Sequence, residues 1–120
     1  MTVRKILITL VGMALVTQAL AHVSASKSIP EDGAVLAESP TEVSIQFSDL
    51  AKLTSLELAG SNDEVTKIDV SEAKSVDGLV SVQIPQLSPD NYTVSWRVLS
   101  VDGHPVAGKF TFTIKAADGQ

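Results

Sequence analysis

The 120-residue chain carries two histidines, His22 and His104, and no cysteine. Each histidine stands where an imidazole could do chemistry. His104 lies in Asp102-Gly103-His104-Pro105. A carboxylate and an imidazole two positions apart share a face in an extended segment. Gly103 permits a tight or φ-positive conformation between them, and Pro105 biases His104 away from the helical region. Alone, Asp-Gly-His-Pro has the composition of an ordinary hairpin turn. His22 directly follows Ala19-Leu20-Ala21, the small-x-small pattern at which a signal peptidase cuts. A cut there makes His22 the first residue of the mature chain, and its α-amine and Nδ1 can then close a six-membered chelate ring on one metal ion.

Such donors suit Cu(II), which prefers a tetragonal set of nitrogen and oxygen ligands. An α-amine, with an ordinary pKa of about 7.7–8.0, yields its proton to a metal at neutral pH. An internal histidine offers only an amide at that position. Asp102 and His104 can complete the set, so the residues predict one Cu(II) held by His22, Asp102 and His104. Glu31, Asp32, Asp63 and Glu64 read as solvated loop charges. Both methionines, Met1 and Met13, precede the expected cut, which leaves residues 22–120 without a soft sulfur donor. No catalytic residue and no organic cofactor site is expected. Ser24, Ser26 and Ser28 alternate as the outer face of a strand would, not as a nucleophile, and no glycine loop suits a phosphate. The chain is not expected to be an enzyme.

The segments around these residues set the frame. Arg4 and Lys5 precede an apolar run from Ile6 to Val16. That run is 11 residues long, and a spanning helix needs roughly 20. Residues 1–21 are therefore expected to be a cleaved signal peptide and residues 22–120 a single secreted domain. No membrane insertion is expected after cleavage, and the domain is expected to be a monomer. Arg4 and Lys5 are two of the nine basic residues, while all 14 acidic residues lie beyond residue 21, so residues 22–120 carry a formal charge of −7. That balance disfavours nucleic acid and anionic lipid, which need clustered Lys and Arg. Without disulfides, packing must hold the domain together.

Period-2 alternation dominates the remainder. Strands are expected over His22–Ser28, Val43–Phe47, Leu53–Ala59 (a looser Leu-x-x-Leu-x-Leu), Thr66–Val70, Val80–Ile84, Tyr92–Leu99 and Lys109–Lys115. Turn residues separate them, with Ile29-Pro30-Glu31-Asp32-Gly33, Ser39-Pro40 and the polar loop Ser61–Glu64 as the clearest breaks. Tyr92, Val94, Trp96 and Val98 share one face, and the only tyrosine and tryptophan mark it as the centre of the core. Tyr92 follows a Pro-Asp-Asn turn, as a tyrosine corner does. About seven strands with no strong helix predict an all-β, immunoglobulin-like Greek-key β-sandwich.

The stretch from Tyr92-Thr-Val-Ser-Trp96-Arg97 through Ser100-Val-Asp102-Gly-His104-Pro105 to Gly108-Lys-Phe110-Thr-Phe112 resembles the signature of the CopC family of periplasmic copper-binding proteins. Ser28-Ile-Pro30-Glu-Asp-Gly33 and Val43–Ser48 match the family's early strands, so the resemblance spans the mature chain. It implies a small β-sandwich that binds Cu(II) through an N-terminal His, an Asp and a second His, roles that fall on His22, Asp102 and His104. Some members add a methionine-rich loop for Cu(I), for which residues 22–120 have no methionine.

Three functions are then open. The first is a Cu(II) carrier or buffer in copper homeostasis or resistance, with a copper transport membrane protein as a partner. The second is an oxidative copper enzyme, because an N-terminal His plus a second His resembles the copper brace of polysaccharide monooxygenases. Those are larger and need a broad aromatic substrate face. The third is a metal-free immunoglobulin-like interaction module, whose stability a chelator would not change.

Overall fold

The computed structural model describes residues 23–117. Nine strands occur among them, in two sheets and without a helix: β1 (Ala25–Ile29), β2 (Ala34–Leu36), β3 (Glu42–Phe47), β4 (Ala51–Ala59), β5 (Val65–Lys67), β6 (Lys74–Val76), β7 (Leu79–Gln83), β8 (Asp90–Ser100) and β9 (Pro105–Ile114). One sheet has the order β1-β3-β7-β6 and the other β2-β9-β8-β4-β5. The all-β sandwich expected from the alternation is observed. The count exceeds the expected seven by β2 and β6, three residues each. Neither is long enough to alternate, and each forms because a longer strand offers it an open edge.

The core lies between the sheets. Val43, Ile45 and Phe47 of β3 and Val80 and Val82 of β7 face Leu53, Leu56 and Leu58 of β4, Val94, Trp96 and Val98 of β8, and Phe110, Phe112 and Ile114 of β9. Strict alternation cannot bury both Leu53 and Leu56, three positions apart. A register shift between Leu53 and Ser55 resolves this: a bulge inserts one residue and returns the strand to the same face. Tyr92 forms the expected corner, its hydroxyl donating to the Ser88 carbonyl at 2.5 Å while its ring stacks on Phe112.

The start of the chain crosses between sheets. β1 pairs antiparallel with β3, and β2 pairs parallel with β9. The crossing is pinned at Thr111, whose carbonyl accepts from Gly33 N–H at 2.7 Å and whose N–H donates to Asp32 Oδ1 at 2.9 Å. Asp32, expected as a solvated loop charge, thus fixes the approach of the N-terminal segment to β9.

Trp96 stands opposite Gly108 in the β8–β9 register and meets Phe47 edge-on, with centroids 5.1 Å apart. The indole packs against the glycine. A Cβ at Gly108 would overlap Trp96 Cζ2 and stand 2.7 Å from Cε2. A glycine inside a strand ordinarily weakens it, so alanine would usually be an improvement. Here overpacking dominates, and Gly108→Ala should destabilise the domain by about 1–3 kcal/mol. A lowered denaturation midpoint checks this, and a raised midpoint would contradict it.

Candidate metal centre

β8 and β9 are the longest strands, paired continuously from Asp90↔Ile114 to Leu99↔Pro105. Their connection, Val101–His104, is therefore held at both ends. Ser100 N–H donates to the His104 carbonyl at 2.9 Å, and Gly103 N–H donates to the Ser100 carbonyl at 2.9 Å. Gly103 has φ 85°, a conformation that costs glycine little. Asp102 and His104 meet because of this turn. The expected extended segment, with i and i+2 on one face, is not what joins them: the chain reverses at Gly103, and β9 begins at Pro105, four residues earlier than Lys109.

The two side chains hold each other. His104 Nδ1 lies 2.8 Å from Asp102 Oδ2, and both side chains are exposed. Asp102 Oδ1 accepts the Ser100 hydroxyl proton, and the same hydroxyl oxygen accepts His104 N–H at 3.1 Å. The Ser100 hydroxyl first, and the imidazole second, hold the Asp102 carboxyl down at about 2. An ionised carboxylate only accepts hydrogen bonds, so Nδ1 carries the hydrogen of this contact, and Nε2 is the ring nitrogen that the contact leaves available on an exposed side chain. A histidine oriented by a carboxylate through its second ring nitrogen is a common metal-ligand arrangement. Spacing alone does not single out Ser100; its one signal is a serine at a strand end two residues before an Asp-Gly, a position where its hydroxyl can bond local backbone.

His22, with residues 1–21, lies outside the described residues. Among the described residues, no group of three or more His, Cys, Asp or Glu side chains is arranged to hold a metal. The structure thus brings together two of the three expected ligands. The chain immediately after His22 is well anchored. Val23 is buried in the core, and Ser24 exchanges two bonds with Ser48: its N–H donates to Ser48 Oγ at 3.0 Å, and its carbonyl accepts Ser48 N–H at 2.9 Å. Ser48 directly follows β3, and β4 begins at Ala51, which pairs with Ser100. Val23 and Ser24 therefore sit at the same end of the sandwich as the Asp102–His104 turn. β1 is not beside the late strands within a sheet; it faces the first half of β9 across an open cleft lined by Val23–Ser28 on one side and Val106–Phe110 on the other.

Comparison with known proteins shows the family and the fold. Residues 25–115 match the family model of the CopC domain. The copper resistance protein C of Escherichia coli is 33% identical over 114 residues, covering 86% of this chain and 89% of that protein. The copper transport protein CutJ of Bacillus subtilis (strain 168) is 31% identical over 103 residues, covering 82% of this chain, but the match spans only 19% of that longer protein. Among solved structures, CopC from Methylosinus trichosporium OB3b superposes with a TM-score of 0.69 at 25% identity, over 82% of this chain and 99% of the other. PcoC from Escherichia coli, described as a methionine-rich copper resistance protein, gives 0.59 at 26% identity, over 79% and 100%.

The depressed Asp102 carboxyl gives a direct check on the turn. Its value falls from 3.8 to about 2, so the ionised form favours the folded turn above pH 3.8, and that contribution is lost as pH falls through about 2. The group is exposed, so solvent screens its effect on global stability. Carboxyl 13C shifts of the metal-free protein should show Asp102 titrating near 2. Titration near 4 would mean that the Ser100 and His104 contacts do not form in solution.

Proposed function

This chain belongs to the CopC family, and on that premise we propose that it is a periplasmic Cu(II) carrier or buffer, not an enzyme, in copper resistance or homeostasis. The observation that carries the reading is the Asp102–His104 pair, which presents one oriented imidazole nitrogen at the end of the sandwich where the chain start is anchored. Export cleaves between Ala21 and His22. The new amine and the His22 imidazole then chelate the ion, and His104 supplies a further nitrogen through Nε2. Asp102 supplies charge and orientation while it holds Nδ1, or an oxygen once that contact opens.

The donor chemistry supports Cu(II) over Cu(I). Amine, imidazole and carboxylate suit Cu(II), and thioethers suit Cu(I). Residues 22–120 have no methionine or cysteine, in contrast to the relative described as methionine rich. One copper ion per domain is the expected load. The formal charge of −7 on residues 22–120 draws cations toward the surface. A relative named as a copper transport protein carries a similar domain within a much longer chain, which supports a membrane copper transporter as the partner receiving the ion from this one.

Anchoring by Val23 and Ser24 makes the amine the critical donor. Adding one glycine before His22 in the mature protein converts its amine into an amide and leaves the imidazole and every core residue unchanged. The extended form should lose Cu(II) affinity by at least about 100-fold, since loss of a directly bound donor costs more than the roughly 10–100-fold typical of outer-shell partners, with an unchanged midpoint for the metal-free form. Competition titration against a chromophoric chelator measures it. Equal affinity in the two forms would place the site on side chains alone and exclude the N-terminal chelate.

A further inference from the structure

We infer that Ser100 is the positioning residue of the copper site, holding both Asp102 and His104 in the geometry that offers Nε2 to the ion. This deepens the proposed function and rests on it. Ser100 makes four bonds within the turn. Its hydroxyl donates to Asp102 Oδ1 and accepts His104 N–H at 3.1 Å. Its backbone N–H donates to the His104 carbonyl, and its backbone carbonyl accepts Gly103 N–H. The backbone pair closes the turn and would survive loss of the side chain. The hydroxyl pair does something else.

A serine hydroxyl has one hydrogen to give and lone pairs to receive. Here the hydrogen goes to the carboxylate, and a lone pair takes the N–H of the histidine that the same carboxylate contacts. Asp102 is fixed at both oxygens, Oδ1 by Ser100 and Oδ2 by His104 Nδ1. Without the hydroxyl, Oδ1 loses its Ser100 partner, and the exposed carboxylate can rotate about χ2, where its torsional preference is broad. Rotation releases Nδ1, and the imidazole no longer has one preferred tautomer or one preferred face. Ser100 therefore acts on the metal through Asp102 and His104 without touching it.

Ser100→Ala and Ser100→Thr separate this role from simple turn closure. In the metal-free protein, 15N shifts of the His104 ring report the tautomer. The parent and Ser100→Thr should show hydrogen on Nδ1, and Ser100→Ala a mixture of Nδ1–H and Nε2–H forms. With Cu(II) alone as probe, Ser100→Ala should bind about 10–100-fold more weakly, and Ser100→Thr within a few-fold of the parent. An Ser100→Ala protein with the parent's tautomer and the parent's affinity overturns the inference. So does an Ser100→Thr protein that behaves as Ser100→Ala, since the hydroxyl would then not be the operative group. The tautomer readout needs no copper, so it decides the role of Ser100 even if the parent binds no Cu(II), a result that would defeat the proposed function instead.

Discussion

The β8–β9 hairpin is the constraint on which the remaining structure depends. Its ten register pairs carry Tyr92, Trp96, Phe110 and Phe112, the aromatic residues of the larger sheet. The same ladder delivers Ser100 and Pro105 to fixed positions at one end. A long ladder is stiff where a loop is not, so the four residues that join the strands can hold two polar side chains in one arrangement despite their exposure. Packing of the indole against Gly108 joins the two strands face to backbone as well as edge to edge. Core and candidate site are thus products of one supersecondary unit, and the second sheet mainly covers its apolar face.

The N-terminal segment supplies the other half of the arrangement. It leaves the first sheet after β1 and joins the second at β2, with Asp32 and Gly33 pinned on Thr111. Val23 is held by apolar burial and Ser24 by two bonds to Ser48. Anchoring at Val23 and Ser24 fixes where the chain enters the sandwich, and fixing a segment before binding lowers the ordering cost of a ligand attached to it. A free amine on a long tether would have to be ordered by the metal itself. Under the proposed function the sandwich acts through where it anchors the chain, and none of its core residues is a donor.

Much of this was legible in the residues, and the illegible parts have physical causes. Val43, Ile45 and Phe47, and Tyr92 through Val98, announce themselves because a strand buried on one face must alternate. Leu53, Leu56 and Leu58 break the period, and the break corresponds to a bulge that spacing alone cannot distinguish from a loop. β2 and β6 are short, half-buried or exposed, and exist through their neighbours' open edges, so their own residues carry little signal. Asp102 and His104 were identifiable as a pair, but the reason was a turn at φ-positive Gly103 and not an extended strand. Ser100 carries only a weak signal because serine is common at strand ends, and only the folded turn shows where its hydroxyl goes. His22 lies outside the described residues, so its part remains a proposal from the cleavage pattern and from the family.

The central claim is that one Cu(II) is held by two imidazoles, from His22 and His104, together with the amine of His22. Electron spin echo modulation of the Cu(II)-loaded protein, purified after export, counts the imidazoles through their remote nitrogens. ENDOR on the same sample resolves the directly bound nitrogens. The account predicts two coordinated imidazoles and one amine nitrogen on a single tetragonal Cu(II). A spectrum with a single imidazole, or one with no amine coupling, would contradict it.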